Sequence, residues 1–124
     1  MGIDRYRKAC QGRAGDPEYA LVVLTGADVA GYVLFSQVLD EVTVLNIAVA
    51  PQHQGQGLGG VLLSAALREA FAAGARRCLL EVRASNRSAL ALYRRQGFIE
   101  DGVRRNYCPS GAGREDALLM SKEL

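Results

Sequence analysis

Residues 46–60 read Asn46-Ile47-Ala48-Val49-Ala50-Pro51-Gln52-His53-Gln54-Gly55-Gln56-Gly57-Leu58-Gly59-Gly60, and the apolar run Val61-Leu62-Leu63 follows at once. Ile47, Ala48 and Val49 suit a buried strand, and Pro51 ends it, because proline has no N–H for a ladder and restricts the residue before it. Gly55, Gly57, Gly59 and Gly60 then crowd the start of a helix. The first N–H groups of a helix lack internal partners and carry the positive end of its dipole, so bare backbone there attracts phosphate. A tight turn with no ligand is the plainer reading of the same glycines.

Two sharper readings compete. Gly55, Gly57 and Gly60 spell G-x-G-x-x-G with Glu81 about 20 residues on, the dinucleotide-binding fingerprint. That fingerprint wants its first glycine at the strand end, whereas Pro51, Gln52, His53 and Gln54 intervene, and too little chain remains for the βαβ units it needs. The stretch Gln54-Gly55-Gln56-Gly57-Leu58-Gly59 is instead similar to the Q/R-x-x-G-x-G/A pattern of the GCN5-related acetyltransferases (GNAT), whose loop and helix start hold the pyrophosphate of acetyl-CoA. A strand before it and an amphipathic helix after it suit this second reading.

The bulk of the chain is consistent with one such domain. A length of 124 residues buries one core. Hydrophobic content of 49% beside 23% charged residues is that of a globular protein, and without a run of about 18 uncharged apolar residues or a signal-like N-terminus the expectation is a cytoplasmic chain with no membrane partner. Cys10, Cys78 and Cys108 have no metal-ligand spacing, and the single histidine, His53, sits in a polar loop, so no metal is expected. A net charge of +2 is too weak for a direct nucleic-acid partner. Arg83, Arg87, Arg94, Arg95, Arg104 and Arg105 nevertheless crowd the second half, as a solvated face or as partners for an anionic ligand.

In chain order, residues 1–18 are the least legible: Asp4 can cap a short helix through Gln11, which Gly12, Gly15 and Pro17 would break. Tyr19–Thr25, Val29–Leu39 and Val42–Val49 then read as three strands joined by short turns, an antiparallel meander. Leu58–Ala73 reads as a helix closed by Gly74, with Leu63, Leu67, Ala70 and Phe71 in its apolar stripe. Arg77–Val82 is a strand whose continuous Cys78-Leu79-Leu80 suggests cover on both faces. Ser85 or Asn86 caps the helix Arg87–Gln96, and the strands Phe98–Val103 and Ala117–Ser121 flank a loop, Arg105–Arg114. The fold expected is a single α/β domain with a mixed sheet, antiparallel at first and parallel at the crossover.

Two residues draw attention as chemistry. Glu81 interrupts an apolar strand, where burial would raise its pKa toward that of a useful base; a salt bridge to a nearby arginine is the alternative. Tyr93 lies one turn after Ala89 and faces inward, as core tyrosines do, yet its phenol remains protonated at neutral pH and can supply a proton to a departing thiolate.

Leu80-Glu81-Val82-Arg83-Ala84-Ser85-Asn86, Ala91-Leu92-Tyr93, Gly97-Phe98, Arg104-Arg105-Asn106-Tyr107 and Arg114-Glu115-Asp116-Ala117 together resemble the RimI family of ribosomal-protein N-terminal acetyltransferases, over about residues 19–122. The resemblance implies that Ile47, Ala48 and Val49 pair with the pantetheine arm of acetyl-CoA. It makes Gln54, Gly55, Gln56, Gly57, Leu58, Gly59 and Gly60 the pyrophosphate loop, and Asn86 a further cofactor contact. It makes Glu81 the general base toward the α-ammonium of a protein acceptor, ribosomal in the family, and Tyr93 the general acid. The family carries basic residues where this chain has Gly55 and Gly60, and a second tyrosine where it has Cys108. It also opens with a strand and two helices that wall the acceptor groove, against 18 residues before Tyr19 here. From this the first strand and its helices are expected to be shortened or missing. A start upstream of Met1, a groove completed by a partner or second copy, and a module that binds acetyl-CoA without an acceptor all stay open. So does an enzyme of the same superfamily acting on a small amine.

Overall fold

The apolar runs of the first half form a meander because each alternates side chains between two faces and each turn is short. The computed structural model describes residues 2–8, 18–110 and 113–124, with side chains from 18 to 106 and from 113 onward. Strands β1 (Gly2–Lys8), β2 (Glu18–Thr25), β3 (Asp28–Val38) and β4 (Glu41–Val49) pair in sequence, all antiparallel. A single 3-10 turn, Pro51–His53, leads to helix α1 (Leu58–Ala72), then β5 (Arg77–Arg83), α2 (Arg87–Arg95), β6 (Ile99–Ser110) and β7 (Gly113–Glu123). Among the described residues the strands form one sheet in the order β1-β2-β3-β4-β5-β7-β6, parallel only between β4 and β5. The mixed α/β sheet expected from the sequence is therefore the one observed.

The core lies between α1 and the sheet face that presents Leu21, Val23, Val33, Val42, Val44, Cys78 and Leu80. Helix α1 packs on β2, β3 and β4. Its Leu62 and Leu63 have no exposed surface, and full burial of each contributes about 1.5–3 kcal/mol. Gly74, at φ +101°, closes α1 and lets Ala75 N–H reach the Ala70 carbonyl at 2.8 Å. Phe71 departs from the expected stripe: it is half-exposed, and the Arg76 guanidinium covers its ring at 4.4 Å.

Three further expectations are corrected. The helix read from Asp4 is strand β1 as far as Lys8, paired from Gly2↔Leu24 to Lys8↔Glu18, so the first strand is present; residues 9–11 lie outside those described, as do Gly12, Gly15 and Pro17. Pairing with β2 overrides the local helix signal, as tertiary context commonly does. The expected loop Arg105–Arg114 continues the β6–β7 hairpin to Ser110↔Gly113, past an irregularity between Arg104 and Cys108. There Asn106 takes a left-handed φ of 52° and donates its N–H to Asp116 Oδ1 at 2.9 Å. Strand β5 alternates rather than being covered on both faces: Cys78, Leu80 and Val82 are buried, while Leu79 is half-buried and Glu81 exposed.

Candidate active site

The site begins where two strands part. β4 and β5 pair only from Glu41↔Arg77 to Val44↔Leu80, while β4 stays paired with β3 as far as Gly31↔Val49. Ile47, Ala48 and Val49 therefore have one backbone edge occupied by β3 and the other released from β5. An extended ligand can pair with that edge as a further strand does.

The glycine loop follows directly. Gly55 and Gly57 sit at φ +82° and +77°, and Gly57 is the N-cap of α1 with no side-chain cap bond. Gln54 ties the loop back to the strand, its Nε2 donating to the Val49 carbonyl at 3.1 Å. Gln56 is exposed, whereas Leu58 is buried at 3%, so Leu58 anchors the helix start in the core and offers a ligand only its N–H. Gly59 has a second role that the sequence does not announce. A Cβ there would stand 3.3 Å from Leu92 Cδ2, tighter than ordinary contact, so this glycine lets α1 approach α2 closely, whereas a Cβ at Gly60 would make ordinary contact, 3.5 Å from Gln96 Nε2.

A cavity of about 200 Å³ opens at the parting of the strands, lined among others by Asn46, Ile47, Glu81, Asn86, Ala89 and Tyr93. It brings together the two residues singled out for proton transfer, one from β5 and one from α2. Glu81 does not have the expected burial: its side chain is 39% exposed, and Arg104 Nη2 stands 3.4 Å from its Oε1. The ion pair, the alternative reading of Glu81, is what the fold provides. Tyr93 is buried, its ring 5.7 Å from that of Phe98, and burial pushes its phenol above the usual value with a smaller contribution from Cys78. Asn86 is the N-cap of α2, accepting Ala89 N–H on Oδ1 at 3.2 Å, which fixes its place on the cavity wall.

Sequence reasoning passed over Asn46, although it lines the cavity and donates from Nδ2 to Tyr32 Oη at 2.9 Å. The signal was there: a polar residue interrupting the apolar strand Val44-Leu45-Asn46-Ile47, as Glu81 interrupts β5. The side chains of Tyr107 and Cys108, in the region likened to an acceptor site, lie outside those described. No described helix is long and apolar enough to cross a membrane.

Comparison with known proteins gives a consistent result. Residues 3–98 match the model of the Acetyltransferase (GNAT) family. The [ribosomal protein bS18]-alanine N-acetyltransferase of Escherichia coli strain K12 is 49% identical over 92 residues, 74% of this chain and 62% of that protein. Its counterpart from Salmonella typhimurium strain LT2 is 45% identical over 104 residues, 83% of this chain and 70% of that one. The chain thus spans 62% of the length of the Escherichia coli relative. The crystal structure of the ribosomal-protein-S18-alanine N-acetyltransferase from Escherichia coli superposes with a TM-score of 0.79 at 42% identity, covering 91% of this chain and 71% of that one.

Proposed function

The chain belongs to the acetyltransferase (GNAT) family, and from that membership we propose that it moves an acetyl group from acetyl-CoA to the N-terminal α-amine of a protein, with an Ala-initiated ribosomal protein of the bS18 kind as acceptor. The observation that carries the reading is the convergence of Glu81 and Tyr93 on one cavity where β4 and β5 part.

The residues present fit acetyl-CoA. A Cβ at Gly55 or Gly57 would meet nothing within 4 Å and no side chain caps α1, so the N–H groups of Leu58, Gly59 and Gly60 would hold the pyrophosphate. The released edge of Ile47, Ala48 and Val49 would hold the pantetheine arm, and Asn86 would meet it on the cavity wall. When bound, acetyl-CoA supplies a thioester, an acetyl group already activated toward amines. Glu81 accepts a proton from the acceptor's α-ammonium, which frees the nitrogen lone pair to form the new C–N bond. Burial keeps the Tyr93 phenol protonated through neutrality, so it can give its proton to the thiolate as the C–S bond breaks, and the phenolate left behind takes the second proton that the nitrogen sheds as it becomes an amide.

The test is direct. Purified protein, acetyl-CoA and an Ala-initiated peptide should yield a peptide acetylated at its α-amine by tandem mass spectrometry, with one thiol released per acetyl. Acetylation of a small polyamine but of no peptide would move the reading to a small-amine enzyme. Calorimetric binding of acetyl-CoA with no amine acetylated would leave a cofactor-binding module.

A further inference from the structure

We propose that the Asn46 side chain, held by Tyr32, receives the acceptor's α-amine beside Glu81 and aims it at the thioester. The inference rests on the acetyl-transfer reading and assigns that reaction an acceptor-binding residue and, in Tyr32, a positioning residue.

The placement comes from a break in register. β3 and β4 pair as Leu34↔Asn46 and then Phe35↔Val44, so Leu45 is left without a cross-strand partner. In a regular strand, consecutive side chains fall on opposite faces. Here Leu45 and Asn46 are both exposed and both line the cavity. Bulges re-aim side chains in this way, and this one follows the last β4–β5 pair, Val44↔Leu80, at the mouth of the parting. The polar side chain is thereby delivered to the same cavity as Glu81.

The orientation of the amide follows from its partner. Nδ2 donates to Tyr32 Oη at 2.9 Å, which leaves the carbonyl Oδ1 as the end that can meet a ligand. An ammonium brings three N–H donors and Glu81 can take only one proton. A neutral carbonyl complements it: Oδ1 accepts an N–H from the ammonium and from the free amine alike, and never competes for the proton that must leave. The nitrogen is therefore held through deprotonation, with its lone pair free to face the acetyl carbon. Misplacement of that nitrogen by about 1 Å would cost about 10²-fold.

The experiment is steady-state kinetics with an Ala-initiated peptide and acetyl-CoA, on wild type, Asn46→Ala, Asn46→Asp and Tyr32→Phe. A hydrogen bond to a charged group is worth about 1.5–3 kcal/mol, so Asn46→Ala should raise the peptide KM by about 10- to 100-fold. The KM for acetyl-CoA and its calorimetric Kd should not move. Asn46→Asp keeps an acceptor oxygen at the same place and should restore the peptide KM to within a few-fold of wild type. Tyr32→Phe should raise the peptide KM less than Asn46→Ala does, with the melting temperature little changed, because it loosens the amide without removing it. An unchanged peptide KM in Asn46→Ala, or a rise confined to acetyl-CoA, overturns the proposal while the acetyl-transfer reading stands. If Asn46→Ala melts early, the Asn46→Asp and Tyr32→Phe variants decide, and wild-type peptide KM in Tyr32→Phe with no rescue by Asn46→Asp overturns it. A wild-type protein that acetylates no amine overturns both readings together.

Discussion

Arg104 Nη2 lies 3.4 Å from Glu81 Oε1, reaching from β6 across β7 to β5, so the carboxylate assigned the acceptor's proton already faces a cation. Both side chains are well exposed, at 49% and 39%, and pairs of this kind contribute only about 0–1 kcal/mol. An incoming ammonium can therefore take the place of the guanidinium. Arg104→Gln should lower the KM for a peptide acceptor several-fold and change stability by less than about 1 kcal/mol. Glu81→Gln should lower kcat by about 10²- to 10⁴-fold with acetyl-CoA affinity intact. A peptide KM that rises in Arg104→Gln would mean that the guanidinium helps to bind the acceptor rather than standing in for it.

Tyr93 offers a separable prediction, since its ring and its hydroxyl have different tasks. Tyr93→Phe keeps the ring against Phe98 and removes only the acid, so kcat should fall by about 10²- to 10⁴-fold at nearly unchanged melting temperature. Burial raises the phenol above 10.0. The acidic form thus persists through neutrality, and any loss of activity that Tyr93 causes begins only above about pH 10. The variant should depress the whole pH–rate profile below that pH without shifting its limbs; a limb near neutrality that disappears in Tyr93→Phe would contradict the assignment.

At the loop, conformation can be separated from contact. Gly57 and Gly26 both have positive φ, +77° and +62°, and a Cβ at either meets nothing within 4 Å. A bulkier residue at each is strained by about 1–2 kcal/mol rather than by collision. Gly26 lies in the β2–β3 turn and Gly57 at the start of α1. Gly26→Ala and Gly57→Ala should thus lose similar stability, whereas only Gly57→Leu should weaken acetyl-CoA binding in calorimetry, by about 10-fold or more. Equal affinities in Gly57→Leu and wild type would remove the loop from the binding site.

What was legible in the sequence was local. The meander from Tyr19 to Val49, helix α1 and a cap at Ser85 or Asn86 follow from apolar period, turn residues and capping chemistry within a few residues of each position, and the structure puts the cap at Asn86. Strand β1 was not legible, because its state depends on partners ten or more residues away in β2, from Lys8↔Glu18 to Gly2↔Leu24. The exposure of Glu81 was equally hidden: its neighbours Leu80 and Val82 are buried on one face of β5, and nothing local says whether the other face is covered. At the β6–β7 hairpin the turn-rich composition misled, since Asn106 absorbs a left-handed kink and its bond to Asp116 keeps the strands together beyond it. The bulge at Leu45 arises from the β3–β4 register and not from any turn residue, so Asn46 could be suspected from its polarity but not placed.

Cys78 carries the last prediction, through stability rather than activity. It is wholly buried on β5, and burial pushes its thiol from the ordinary 9.0 to about 12, with Lys122 only partly opposing the rise. The unfolded chain releases this proton near pH 9.0 and the folded chain near pH 12. The stability linked to Cys78 is therefore fully present below pH 9.0 and is lost as the pH climbs toward 12, at about 1.4 kcal/mol per pH unit. Cys78→Ala removes the titration at the cost of a small cavity, which is the same at every pH. Urea unfolding at about pH 8 and about pH 10.5 should show wild type losing about 2 kcal/mol more than the variant between the two conditions. The other titrating groups are common to both proteins and cancel in that difference, save for the smaller part that Cys78 takes in raising the Tyr93 phenol. Equal losses in the two proteins would mean that the Cys78 thiol is reached by solvent in the folded state, and the packing of β5 between β4 and β7 would have to be redrawn.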